Sequence, residues 1–235
     1  MFQHGPLFHL VCFPGAGGTT ELFAQWPNRL PDVVSMTCVQ YPGRAERLRD
    51  PLPQRLVGLA EPVAAELSAT AATGPPVVLF GHGMGAWVAW ETARLLQDTR
   101  PGSPYALYTS AQAAPAYPGP EPRPFPESPA PREPGMPLGT AQADTRLALH
   151  YQAHYQQAPP LKCPVTALVG TQDRDVTTRH AQGWQVCTTG PFTVRALRGD
   201  ATGLVRRAEV ITFLLTSLGL AGAARTPRRP VNGER

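Results

Sequence analysis

The stretch VVLFGHGMGAWVAW, residues 77–90, decides the fold. Val77 to Phe80 form a short uninterrupted apolar run, which reads as a strand buried on both faces. From Ala86 onward the residues are apolar nearly all round (Trp87, Val88, Ala89, Trp90, Ala93, Leu95, Leu96), as expected for a central buried helix. Between them lies Gly81-His82-Gly83-Met84-Gly85, a tight strand-to-helix turn of the kind that raises a reactive side chain at its middle position. The middle position here is Gly83, which offers only hydrogen.

Working outward, similar Val-, Leu-, Phe- and Tyr-rich runs span 7–13, 33–39, 105–110, 165–170 and 192–197, with helical-period segments between them. Strands alternating with helices of this length predict βαβ crossovers and a mostly parallel, doubly wound α/β sheet covered on both faces. Leu56, Leu59, Ala60, Val63 and Leu67 recur at helical spacing, although Pro62 predicts a kink or a later start. Residues 111–138 are dense in proline, which disfavours helix and favours extended backbone. The organisation expected is one domain over 1–220, with 111–138 as a separate proline-rich feature, and a disordered basic tail at 221–235.

A chain of 235 residues is long enough to bury roughly 70% of its extended surface without metal or disulfide staples. Cys12, Cys38, Cys163 and Cys187 are scattered without a Cys-x-x-Cys spacing, so buried free thiols and a cytoplasmic protein are expected. Neither a signal-peptide pattern nor an apolar run of bilayer length is present, so no membrane association is expected. The net charge of +4 sits largely in the tail, where four arginines oppose one glutamate over the last thirteen residues. The remaining chain is nearly neutral and carries no aromatic-interleaved basic patch, which argues against nucleic acid as a partner.

The runs LVCFPGAGGTTELFAQW (10–26), VQYPGRAERLRDPLP (39–53), VVLFGHGMGAWVAWETAR (77–94), LYTSAQAAP (107–115) and CPVTALVGTQDRDV (163–176) together resemble a type II thioesterase. These are free-standing α/β hydrolases that clear misloaded acyl groups from the carrier proteins of polyketide synthases and nonribosomal peptide synthetases. The resemblance implies an α/β-hydrolase fold, with the helical lid reduced to the proline-rich segment. It also implies a serine nucleophile, a histidine base and an orienting acid facing backbone oxyanion donors. The acid maps to Asp173, and the donors map to the amides of Ala16 and Met84. The serine maps to Gly83 and the histidine to Ala201, so two of the three groups are missing; Gly15 stands where the first turn often has histidine.

Other groups compete for roles. Ser110 and Thr109 end the strand beside the turn, where a migrated nucleophile would sit, although Ser110 also fits the ordinary family pattern. His82 reads as structural. His150 and His154 share a helix face but lack a third ligand, so neither a metal nor a cofactor is expected. His180 reaches the site only if its helix starts unusually. Without its histidine, Asp173 reads equally as a general acid or base beside an apolar cleft or as a cap on the following turn, with Asp175 and Asp200 as weaker companions.

Two functions follow from the residues and the resemblance. In one, the cleft, lined by Gly15, Ala16, His82, Gly83, Met84 and Ser110, holds a polyketide or peptide intermediate noncovalently, and Asp173 assists cyclisation, elimination or isomerisation. In the other, a noncatalytic pseudo-thioesterase docks on an acyl carrier protein or a partner enzyme. A residual hydrolase with a migrated nucleophile is a third. Incubation with an acyl phosphonate followed by peptide mass spectrometry tests this last case: no adduct is expected at Ser110 or elsewhere, and labelled Ser110 would establish a migrated nucleophile.

Overall fold

A computed structural model describes residues 5–70, 74–100, 102–117 and 138–222. Six strands, β1 (Phe8–Phe13), β2 (Val34–Cys38), β3 (Val77–His82), β4 (Ala106–Ser110), β5 (Val165–Gly170) and β6 (Phe192–Leu197), form one sheet in the order β2-β1-β3-β4-β5-β6. Every neighbouring pair is parallel. The strands match the apolar runs of the sequence to within two residues; the inner β3 and β4 are buried along their whole length, whereas the edge strands β2 and β6 are only partly buried. The chain leaves β1 outward to β2 and then returns to the other side of β1 for β3. That reversal opens a crevice at the carboxyl ends of β1 and β3.

The helices are α1 (Val57–Ala69), α2 (Met84–Thr99), α3 (Leu138–Ala153), α4 (Thr178–Gln182), α5 (Ala201–Leu204) and α6 (Ala208–Ser217). One apolar cluster joins α1 and α2 to one sheet face, through Leu59, Leu67, Trp87 and Trp90 among others. A second joins Trp26, Phe23, Leu204, Ile211 and Leu214 to the other face. Trp87 to Trp90 are wholly inaccessible, as the all-round apolar pattern predicts. Pro62 does not delay α1: the helix starts at Val57 and runs through Pro62. The missing proline N–H removes the partner of a single carbonyl, that of Gly58, close to the helix start. Among the described residues no helix is long and apolar enough to cross a membrane.

Of the proline-rich stretch, 111–117 carries no regular helix and 118–137 lies outside the described residues, as do 223–235 of the expected tail. Helix begins again at Leu138, and α3 is fixed to the loops around the crevice. Asp144 on α3 pairs with Arg44 at 2.7 Å, both side chains 1% exposed. The other Asp144 oxygen accepts the Gly17 N–H at 2.9 Å, and Thr140 Oγ1 donates to the Gly43 carbonyl at 2.8 Å. Arg44 also donates to the Gly18 and Pro42 carbonyls. One guanidinium and one carboxylate therefore tie α3, the turn after β1 and the loop after β2 into a single unit.

Asp144→Ala leaves a buried guanidinium and the Gly17 amide without their acceptor. A destabilisation of about 3–5 kcal/mol is expected in urea titrations; a loss below about 1 kcal/mol would mean that the pair is not buried in solution.

Candidate active site

The turn after β3 is built from glycines that nothing else could replace. A Cβ on Gly81 would collide with the Gly85 carbonyl, and one on Gly85 with the carbonyls of Phe13 and Pro14. The turn is thus pressed onto itself and onto the end of β1. Between the two, Gly83 has φ +53° and ψ −131°, a backbone that side chains other than glycine occupy only under strain. Its N–H donates to the Ser110 carbonyl at 2.9 Å, and its own carbonyl accepts the Ala86 N–H at 2.9 Å, starting α2.

A Cβ placed on Gly83 would meet only the Gly15 Cα, at 3.6 Å. That is ordinary contact, so the space for a side chain exists and is empty. Gly15, Ala16 and Gly83 are each partly exposed among otherwise buried neighbours, and Met84 is buried as the first residue of α2. Beneath them, His82 Nδ1 lies 3.1 Å from Ser110 Oγ, with Ser110 fully buried and His82 9% exposed. Burial lowers the His82 pKa to about 4, so this imidazole is neutral at pH 7. The structure thus brings six of the residues expected at the site (Gly15, Ala16, His82, Gly83, Met84 and Ser110) into one cluster at the switch point of the sheet.

Asp173 and Ala201 form a second group past the ends of β5 and β6. The Gln172 N–H donates to the Gly199 carbonyl at 2.9 Å, and a Cβ on Gly170 would collide with that same carbonyl, so the two loops touch. Asp173 Oδ1 accepts the N–H groups of Asp175 and Val176 at 2.8 and 2.9 Å, the cap reading of this residue. Its Oδ2 is buried with no hydrogen-bond partner among the described residues. One carboxylate oxygen is therefore structural, and the other is uncommitted. Ala201 opens α5 and is half-buried; the helix is capped by Asp200, whose Oδ1 accepts the Gly203 N–H at 2.6 Å.

The remaining histidines are placed elsewhere. His180 accepts the Thr177 N–H in a capping box at the start of α4, and its ring meets Tyr117 edge-on at 4.9 Å. His150 and His154 stack at 4.2 Å on an exposed face of α3. No group of three His, Cys, Asp or Glu side chains able to hold a metal occurs among the described residues. The four cysteines are free, and three of them are buried.

Several positioning residues gave no signal in the sequence. Besides Arg44 and Asp144, the indoles of Trp87 and Trp184 donate to the Ala113 and Gln112 carbonyls at 2.8 Å, holding the chain as it leaves β4. Tyr41 donates to the Pro14 carbonyl at 3.1 Å beneath the first turn. Such partners lie tens of residues apart, and only the apolar character of the tryptophans is periodic.

The thioesterase domain family matches residues 8–121. Linear gramicidin dehydrogenase LgrE of Brevibacillus parabrevis is 30% identical over 234 residues, covering 88% of this chain and 86% of that protein. Thioesterase PikA5 of Streptomyces venezuelae is 31% identical over 211 residues, covering 81% and 73%. Among solved structures, RedJ, a thioesterase from the prodiginine biosynthetic pathway in Streptomyces coelicolor, superposes with a TM-score of 0.72 at 31% identity, covering 91% of this chain and 90% of that one. BorB, the type II thioesterase from the borrelidin biosynthetic cluster, gives 0.71 at 28% identity, covering 94% of each chain.

The lowered pKa of His82 has a thermodynamic consequence. As pH falls below 6.5 the unfolded chain protonates this ring, whereas the folded chain resists until about 4, so stability declines across that window. The decline amounts to about 3 kcal/mol. Urea unfolding of His82→Gln between pH 7 and pH 4 is expected to show an acid-side loss smaller by that amount; an unchanged slope would mean that the ring titrates normally.

Proposed function

This chain belongs to the type II thioesterase family of nonribosomal peptide and polyketide pathways and has the α/β-hydrolase fold, and from that premise we propose that it no longer performs serine thioesterase chemistry. In this reading it holds a pathway intermediate noncovalently over Gly15 and Gly83 and promotes cyclisation, elimination or isomerisation. The observation that carries the reading is a pairing of opposites: an elbow with a positive φ at its apex held by a glycine, and an Asp173 with one oxygen committed and one left buried without a partner among the described residues.

A thioester is opened by a nucleophile that forms an acyl-enzyme, aided by a base that collects its proton. At the matching positions stand Gly83 and Ala201, and Ser110, the nearest hydroxyl, is fully buried against His82. What the cleft retains suits chemistry without a covalent step. The Ala16 and Met84 amides are the matching donors for a developing oxyanion, and Asp173 Oδ2 is the matching group for proton transfer. Holding an intermediate's reacting ends together contributes several kcal/mol of its own. The intermediate would be a polyketide or peptide small molecule, free or delivered by an acyl carrier protein.

Incubation of the purified protein with the linear precursor of its pathway is expected to give product, and Asp173→Asn to lower kcat by at least a hundredfold. Absence of turnover together with tight binding to a carrier domain would replace this reading with the docking one. Reversal is also expected: Gly83→Ser, whose Cβ has ordinary room, combined with Ala201→His should restore measurable hydrolysis of acyl-carrier thioesters. A stable double variant with none would show that the cleft itself has been reshaped.

A further inference from the structure

A buried imidazole, that of His82, lies against the first turn. His82 is held by Ser110 at Nδ1, and the Cδ2 on the other side of the ring lies beside the first turn. There a Cβ on Gly15 would stand 3.7 Å from Cδ2, and Gly15 and Gly83 face each other so closely that a Cβ on Gly83 would touch the Gly15 Cα. Neither glycine carries a side chain, and both are partly exposed, so the ring edge borders the gap they leave. The only hydrogen bond of the His82 ring among the described residues is the one to Ser110.

We propose that His82 is a catalytic proton-transfer residue of this cleft, acting on the carbon acid next to a carbonyl of a bound intermediate, with Ser110 as the residue that positions its ring. The inference rests on the noncovalent reading of the site and adds to it the base and the class of substrate. Nδ1–H donates to Ser110 Oγ, leaving the Nε2 lone pair free. Nε2 takes the proton from the carbon, the C–H electron pair becomes a carbon–carbon double bond, and the carbonyl oxygen takes the charge. That oxygen faces the start of the sixteen-residue helix α2, where amide N–H groups and the helix dipole favour an anion. The imidazolium then returns its proton, to another carbon in an isomerisation or to a departing hydroxyl, which leaves as water, in an elimination. Protons and charge balance, and no oxidant or reductant enters.

Ser110 cannot itself be the reacting group, because it lies fully buried behind the ring. Asp173, past the end of the neighbouring strand pair, would serve as the second proton-transfer group rather than as the partner of His82.

Diethyl pyrocarbonate, which acylates reachable neutral imidazoles, tests the geometry without any substrate. Peptide mass spectrometry is expected to find His82 modified, and Gly15→Ala to slow that modification at least tenfold while the exposed His150 and His154 react as before. An unmodified His82 under conditions that saturate those two, or a rate unaffected by Gly15→Ala, would overturn the proposal. The catalytic arm uses the linear precursor: His82→Gln is expected to lower kcat at least a hundredfold with KM little changed. Normal turnover by His82→Gln, where Asp173→Asn has lost it, would remove His82 and leave the proposed function standing. No turnover by the native protein would remove both.

Discussion

The constraint on which the structure depends is the absence of room at the turn after β3. Gly81 and Gly85 are packed so tightly against the turn's own backbone and the end of β1 that a methyl group on either would collide with a carbonyl. This contact seats α2 across the sheet, sets the first turn against the elbow, and forces the conformation of Gly83. The residue at the elbow's apex, Gly83, has no side chain to present and takes up this backbone without a steric penalty.

A second layer holds that backbone from outside. The buried Arg44–Asp144 pair, with its additional bonds to Gly17, Gly18 and Pro42, ties α3 to the first turn, and so couples whatever covers the cleft to the amides on its floor. Burying two charges is expensive and gives little net stability over an apolar pair, but it fixes one arrangement, since either charge alone would be intolerable in the interior. The indoles of Trp87 and Trp184 do the same for the chain leaving β4. Such contacts hold the loops around the crevice in one arrangement.

Most of the scaffold was legible in the residues. The inner strands announced themselves because parallel strands buried on both faces must be continuously apolar, and α2 because a central helix must be apolar all round, while the edge strands β2 and β6 are only partly buried. The elbow was legible because its glycines are spaced by geometry rather than by composition. Less could be read where partners are distant: nothing in VQYPGR signals that Arg44 meets Asp144, a hundred residues on. Pro62 misled because its effect depends on how near the helix start it falls, which propensity alone does not give. Asp173 reads equally as a general acid or base or as a cap; its Oδ1 does cap the following turn, while its Oδ2 is buried with no hydrogen-bond partner among the described residues, a division that only coordinates reveal. His82 reads as structural, and the structure places it buried and bonded to Ser110.

The central claim is that this elbow supports chemistry without an acyl-enzyme. The most direct measurement is rapid-quench kinetics with a radiolabelled acyl group on a carrier domain and the native protein in excess. The account predicts that label leaves the carrier no faster than the uncatalysed rate raised by binding alone, and that none is found attached to the protein at any time. A burst of label transferred to the protein, followed by its release, would contradict it.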